Sequence, residues 1–498
     1  MDIQRKIDEI KAKQAQAQKQ QGLGRPIISE FFQGWRFVAV GSRLFYSQSW
    51  KTFHDFLFDY IKEVLGTRWG DRELQKPFNE RHPILQWYEL AVKYMNSFIK
   101  ERGVVHSAAM TGATEGYLGL AYNLYLLSHN ETIQEALLTR LRKNDKFQGA
   151  HYEIIVAAMF IKAGFDIEFE NESDPTETHC EFSATHRDTG KKFSVEAKSR
   201  APGKGNVDAG NQLYEALKKD AKFERVIFID INVPNEFDVS QGLGFFQETI
   251  DGLRGREKKL TIKGQPAPAS YIFLTNFAYG YHLRKISFER PVVAEGFKIP
   301  DFRVDSNFSD LRAALRAEER HREMFDLLEA IRTHNQIPAT FDGGIPELEF
   351  NKTVPQLKIG EKYEVPTQDG IVVGVLEEAV VLETEKLVYG VYRVEGERRI
   401  IATCPLTDDE LKAYRRHPDT FFGVYRPTGK KTENPVEIFH EFHNVYKTSS
   451  REKLLEFMKG APNIGALRKL PQSDLAFLYC ENLVYSVMKP RASDASSG

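Results

Sequence analysis

The chain has 498 residues, of which 41% are hydrophobic and 28% charged, and its formal net charge is −2. This composition is typical of a globular protein with roughly two to four domains, and the near-neutral charge restricts any nucleic-acid binding to a local patch. The three cysteines are far apart and form no paired motif, which argues against a disulfide framework or a structural zinc site and favours a reducing, cytoplasmic compartment. No apolar stretch approaches the roughly 20 residues of a membrane span.

The first 145 residues are predicted to form a helical domain. Residues 1–22 are polar, with three isoleucines at helical spacing, and we expect a polar helical arm there. In residues 27–145 apolar side chains recur every three or four positions along several segments. This periodicity predicts a mostly helical structure.

Residues 146–300 change character and predict a domain of strands and helices. The predicted elements are helix 148–163, strands 165–170, 179–185 and 191–198, helix 208–222, strand 225–233, helix 243–254 and strand 270–276. The order αβββαβ predicts a mixed β-sheet that is flanked by helices.

The remaining sequence predicts a helical connector, a small β-rich domain, a helical region and a tail. The helical connector covers residues 301–345 and contains one long charged helix at 306–334. The β-rich domain covers residues 346–405, the helical region 406–490 and the tail 491–498. The composition of the last segment predicts disorder. The whole chain is therefore expected to be a mixed α/β multidomain protein.

The most informative segment is residues 193–200, which read Phe-Ser-Val-Glu-Ala-Lys-Ser-Arg. Because successive side chains of a strand point to opposite faces, Glu196 and Lys198 should project together from one face, and the apolar residues from the other. Such a pair can hold a divalent cation beside a fixed positive charge. Phosphodiester hydrolysis needs both.

Two further carboxylates can join this pair. If strand 179–185 forms a hairpin with the Glu-x-Lys strand, Glu181 and Glu196 converge on one face of the sheet. They would repel each other there, and a hard cation between them removes the repulsion. Glu153 lies in an almost wholly apolar helix, where a carboxylate is costly without a partner.

This arrangement resembles the PD-(D/E)XK nuclease superfamily, the restriction-endonuclease-like fold, with Glu181, then Glu196-Ala197-Lys198, and Glu153 on the preceding helix. The resemblance implies that Glu181 and Glu196 ligate Mg²⁺ or Mn²⁺, with the Ala197 carbonyl as a further ligand. It implies that Lys198 orients or helps to deprotonate the attacking water and offsets charge in the transition state. Glu153 would bind the metal directly or through water.

The resemblance covers residues 148–235 and departs from the usual pattern at the first acid, which is Glu rather than Asp. Asp174, next to Pro175, and Glu177 are rival candidates for that position. The predicted nucleic-acid contacts are Arg200, Lys204 and Gln212. The lysines at 218, 219 and 222 are interpreted as a solvated helix face.

The resemblance implies a Mg²⁺-dependent endonuclease of repair or defence type that acts on DNA rather than RNA. The accessory domains would select the substrate, a protein partner or a second copy for a homodimer. Two alternatives stay open: the same fold used as a non-cleaving nucleic-acid or protein-binding module, and an interaction protein with an accidental Glu-x-Lys. The last alternative predicts that Glu181, Glu196 and Lys198 do not share one cleft.

Overall fold

A computed structural model gives the structure of the chain. It describes residues 2–99, 101, 104–131, 133–170, 180–201, 203, 208–236, 238, 240, 242–286, 289–304, 311–333, 336–350, 356–368, 370–426, 432 and 434–488. The chain forms two compact units, the first of Met1–Val304 and Glu323–Arg426, the second of Asp305–Arg322 and Pro427–Gly498. The predicted tail at 491–498 lies outside the described residues. Among the described helices, none combines the length and apolar character that a membrane crossing requires.

The first unit begins with a helix, a small sheet and five more helices. They are α1 (Asp2–Gln21), β1 (Ile28–Phe32), β2 (Trp35–Val40), β3 (Arg43–Ser47), α2 (Phe53–Leu65), α3 (Thr67–Leu74), α4 (Pro83–Phe98), α5 (Gly112–Asn130) and α6 (Glu135–Leu141). The antiparallel sheet β1-β2-β3 lies in a region where the periodicity indicated mostly helix. The chain turns between these strands at Gln33, Gly34 and Gly41, which all have positive φ. Such backbone angles are typical of short turns between antiparallel strands.

The central elements follow the predicted order. They are α7 (Asn144–Lys162), β4 (Phe165–Phe169), β5 (Phe182–His186), β6 (Lys192–Ser199), α8 (Ala209–Leu217), β7 (Glu224–Asp230), α9 (Gly244–Arg256), β8 (Thr261–Ile262), β9 (Gln265–Pro266), β10 (Ser270–Thr275) and β11 (Val292–Phe297). In the described residues one mixed sheet has the order β11-β10-β7-β6-β5-β4. Strands β6, β7 and β10 are parallel, and the other pairs are antiparallel. The prediction of a mixed α/β fold around this sheet is confirmed.

Helices cover the two faces of this sheet with separate apolar cores. On one face, the Phe160 ring of α7 lies 5.5 Å from the Phe182 ring and 6.0 Å from the Phe228 ring, measured between centroids. On the other face, Leu213 of α8 belongs to a core with Ile227. The strand alternation therefore decides which helix each side chain of β6 meets.

Further along the chain the elements are α10 (Leu311–Arg320), α11 (Arg322–Arg332), α12 (Pro346–Glu349), β12 (Lys362–Thr367), β13 (Gly370–Leu382), β14 (Leu387–Arg393), β15 (Arg399–Pro405), α13 (Asp408–Arg416), α14 (Pro435–Tyr446), α15 (Arg451–Phe457), α16 (Ile464–Leu467) and α17 (Gln472–Met488). Strands β12 to β15 form an antiparallel meander. The long helix predicted at 306–334 is two helices, α10 and α11, separated at His321, and the boundary between the compact units falls beside this break.

Helix α1 is held on the first unit by its glutamines. Gln16 Nε2 lies 2.8 Å from His417 Nδ1, and Thr420 Oγ1 donates to Gln16 Oε1 at 2.6 Å. Gln20 Nε2 donates to the Gly344 carbonyl at 3.0 Å. The predicted polar arm is therefore packed against residues that come more than 300 positions later in the chain.

Candidate active site

Strand β6 places Glu196 and Lys198 on the sheet face that α8 covers. Glu196 is in register with Ile227 of β7, which belongs to the core beneath α8 and α9. Phe193 and Val195 point the other way and pack in the core around α7. The alternation of β6 thus separates the charged pair from its apolar neighbours.

The Glu196 carboxylate is buried and faces two lysines. Its side chain is 1% exposed, Lys198 Nζ contacts Oε1 as an ion pair, and Lys219 Nζ lies 3.8 Å from the same oxygen. The Lys198 ammonium donates to Oε1, and Oε2 accepts no hydrogen bond from the described residues. Lys198 and Lys219 thus pair with Oε1, and Oε2 has no partner among the described residues.

Burial and a second acid shift the ionisation of this pair. Burial, followed by the charge of Glu181, raises the pKa of Glu196 to about 7, against the opposing effect of the two lysines. Burial lowers the pKa of Lys198, but the Glu196 carboxylate more than offsets it, so that the pKa lies above its ordinary value. Lys198 therefore remains a cation at neutral pH.

Glu181 lies just before β5 and beside the pair. Its amide donates to the Val195 carbonyl of β6 at 3.0 Å, and the side chain is half-buried. Its charge acts on the Glu196 carboxylate. The structure thus brings Glu181, Glu196 and Lys198 together, with Ala197 between the last two in β6.

Glu153 does not join this group. It lies on α7, which packs on the opposite face of the sheet, and its two oxygens accept hydrogen bonds from Arg140 at 2.8 and 3.0 Å. The guanidinium supplies the partner that the buried carboxylate requires. The geometry gives Glu153 a place in an ion pair between α6 and α7, away from Glu196.

Of the other predicted residues, some lie outside the described ranges, and Arg200 is buried. Asp174, Glu177 and Lys204 lie outside the described residues. Arg200 is buried, and its Nη1 donates to the carbonyls of Ile231 and Asn232 at 3.4 and 3.5 Å. It therefore holds the segment after β7 rather than facing solvent.

Gln212 and Lys219 lie in the segment around α8. Residues 212 and 216 share one face of α8 by their spacing, and Lys219 follows the end of the helix at Leu217 by two residues. Ala216 is fully buried, and Gln212 Oε1 is buried without a hydrogen-bond partner in the described residues. Lys219 was expected on a solvated helix face, whereas its Nζ lies 3.8 Å from Glu196 Oε1. The sequence carried no signal for this position, because Lys219 lies beyond the last residue of α8.

The donor set around Glu196 fits a magnesium ion. Mg²⁺ accepts one or two carboxylates and completes its shell with water and phosphate oxygens. Glu196 and Glu181 supply two carboxylates, and Glu196 Oε2 has no hydrogen-bond partner among the described residues. Within the described residues, no cluster of three or more His, Cys, Asp or Glu side chains is arranged to hold a metal. Glu196 and Glu181, with the Ala197 carbonyl, are the groups that would hold the ion.

Comparison of the chain with models of known protein families, with curated proteins and with solved structures gives no match. The case for a function therefore depends on the residues around Glu196 and on the sheet that positions them.

Proposed function

We propose that the protein is a Mg²⁺- or Mn²⁺-dependent endonuclease that hydrolyses phosphodiester bonds of DNA, of repair or defence type. The observation that carries this proposal is the buried Glu196 carboxylate, which is paired with Lys198 through Oε1, lies near Lys219 and beside Glu181, and has no hydrogen-bond partner for Oε2 in the described residues. The αβββαβ order of the surrounding sheet supports it. The sparse cysteines of the sequence favour a reducing, cytoplasmic compartment for the enzyme.

Each residue has a role that its surroundings allow. A bound divalent ion would lower the pKa of water and polarise a phosphate oxygen. Glu196 and Glu181 would hold that ion, since their mutual repulsion falls when a cation lies between them. Lys198 carries a positive charge at neutral pH and can donate to a phosphate oxygen on which negative charge develops.

The free-energy cost of burying the Glu196 carboxylate is consistent with a functional position. A buried carboxylate with a raised pKa destabilises the fold at neutral pH, and an apolar side chain at this point of the strand would avoid that cost. Strained or costly groups of this kind concentrate at functional sites.

A non-cleaving module is the alternative. Lys198 already neutralises Glu196, and an ion pair of this kind can position a binding surface without any chemistry. The two functions differ in one measurable property, namely metal-dependent strand cleavage.

The experiment compares the full chain with Glu196→Gln and Lys198→Met on plasmid DNA and on RNA, in Mg²⁺, in Mn²⁺ and in EDTA. We expect metal-dependent cleavage of DNA by the wild type and a loss of about 100-fold or more in each variant. The matched control is Glu224→Gln, an exposed carboxylate of β7 that pairs with Lys191 at 3.0 Å, which should cleave like the wild type. Circular dichroism checks that each variant is folded.

Cleavage that persists in both site variants would exclude this site as the catalytic centre. A wild type that binds DNA and never cleaves it, with either metal, would favour the non-cleaving module.

A further inference from the structure

A depression on the Glu196 face of the sheet has no role in the site described above. It has a volume of about 240 Å³ and is lined by Glu168, Ser183, Lys192, Lys222 and Phe223, among others. Ser183 is in register with Ser194, which precedes Glu196 by two residues on the same face. The depression therefore continues the active-site face towards the start of β6.

Phe223 forms one wall of the depression as a fixed aromatic surface. Its backbone amide donates to Ser194 Oγ at 3.2 Å, which ties the segment before β7 to β6. Phe223 is 37% exposed, and Lys192 Nζ lies 5.6 Å from the centroid of its ring. An exposed ring beside a lysine is the combination on which an unpaired base stacks while its phosphate meets the cation.

Lysines continue from the depression to the active site. Lys192 and Lys198 share one face of β6 by the strand alternation, and six residues of strand span about 20 Å. Lys222 flanks the start of this row, and Lys219 lies beside Glu196 at its other end. At a rise of about 3.4 Å per nucleotide, the row accommodates up to about six nucleotides of one strand.

The depression is lined by two lysines and two glutamates, so phosphate binding there depends on exposed lysine side chains rather than on a net positive charge. Glu170 is paired with Lys222 at 3.3 Å, and the Lys222 side chain is 63% exposed, so that it can reach a phosphate. Glu168 faces the depression without a lysine of its own among the described ion pairs. It lies on β4, the strand farthest from β6 on this side of the sheet.

We infer that this face binds nucleic acid as a single strand, which lies along β6 with one base on Phe223 and its phosphates on Lys192 and Lys222. This inference rests on the proposed function, since it assigns the substrate of the same site. A duplex keeps its bases stacked inside and cannot offer one to a side-chain ring without opening, so the Phe223 contact selects single-stranded or locally opened substrate.

The test is fluorescence anisotropy of the full chain with a labelled single strand of about 12 nucleotides and with the matching duplex, in EDTA so that cleavage is blocked. We expect the single strand to bind more tightly than the duplex. Phe223→Ala should weaken single-strand binding about tenfold and leave duplex binding unchanged. The control Phe31→Ala removes a ring that is 57% exposed on β1 and should change neither.

Salt dependence tests the lysines separately. In the double variant Lys192→Met/Lys222→Met, the slope of log Kd against log salt should fall by about 1.4, because each lost phosphate contact on a single strand contributes about 0.7. The control pair Lys62→Met/Lys386→Met removes two exposed lysines elsewhere in the first unit and should keep the wild-type slope.

The outcomes separate this inference from the proposed function. Single-strand binding that is unchanged in Phe223→Ala overturns the inference even if the wild type cleaves DNA. Single-strand binding that depends on Phe223, without cleavage by the wild type, supports the inference and removes the nuclease. A wild type that binds neither single strand nor duplex overturns the inference.

Discussion

Lys162, the last residue of α7, offers a quantitative test of the structure. Its side chain is 3% exposed, Nζ donates to the Thr333 carbonyl at 2.9 Å and lies 5.9 Å from the centre of the Tyr122 ring. Burial lowers the pKa of this lysine from 10.5 to about 7. The fold is thus expected to favour the neutral amine.

The sign and size of the effect on stability follow from this difference. Between about pH 7 and pH 10.5 the unfolded chain binds a proton that the folded protein does not bind, so the free energy of unfolding rises with pH. At about 1.4 kcal/mol per pKa unit, the charged form costs the folded state about 5 kcal/mol below pH 7.

The perturbation is Lys162→Met, which removes the charge and keeps the length of the side chain. The variant also loses the hydrogen bond to Thr333, worth about 1 kcal/mol. We therefore expect it to be more stable than the wild type by about 3 kcal/mol near pH 7 and about equal to it near pH 10.

The assay is urea denaturation of both proteins between about pH 7 and pH 10, followed by circular dichroism and tryptophan fluorescence. Lys386→Met, at a lysine whose side chain is 54% exposed, is the control and should show no such pH-dependent difference. A wild type that is more stable than Lys162→Met by the same amount at every pH would refute the reasoning, because Lys162 would then keep its ordinary pKa.

Four further predictions concern other parts of the molecule. Arg140→Ala should destabilise the first unit by about 3–5 kcal/mol in urea denaturation, because it leaves the buried Glu153 carboxylate without its guanidinium partner. Glu153→Gln should leave the apparent metal affinity, measured by calorimetry, unchanged. Phe160→Ala should cost about 3–5 kcal/mol of the free energy of unfolding, since it opens a cavity beneath the sheet. In the second unit, hydrogen bonding to Glu318 raises the pKa of His440. The pair therefore stabilises that unit at acid pH, and this contribution is lost as the pH rises through the pKa of His440 in the folded protein. In Glu318→Gln, NMR titration of the His440 imidazole should show its pKa returning towards the ordinary value.

The sequence was sufficient for the features that local periodicity decides. The alternation of β6 placed Glu196 and Lys198 on one face, and the order of helices and strands predicted the mixed sheet. These features follow from the two-residue period of a strand and the 3.6-residue period of a helix, which are written directly in the sequence.

The remaining features depend on tertiary packing. Lys219 lies beside Glu196 because of the way in which α8 packs over β6. The pattern of lysines in the sequence does not determine how that helix is rotated about its axis. The partner of Glu153 is Arg140 on a different helix, so the need for a partner could be predicted but its identity could not. The break at His321 has no glycine or proline to mark it, and the charged periodicity continues through it.

The attachment of α1 determines when the protein can finish folding during synthesis. The partners of Gln16 follow it by 401 and 404 residues, and at about 5–20 residues per second the ribosome takes about 20–80 seconds to produce them. Throughout that interval α1 lacks the two partners of Gln16, although the sheet that carries Glu196 has already been translated. Full attachment of α1 is therefore one of the last steps in the assembly of the first unit, and a chain truncated just before residue 417 would keep the Gln20 contact with Gly344 but lose both partners of Gln16.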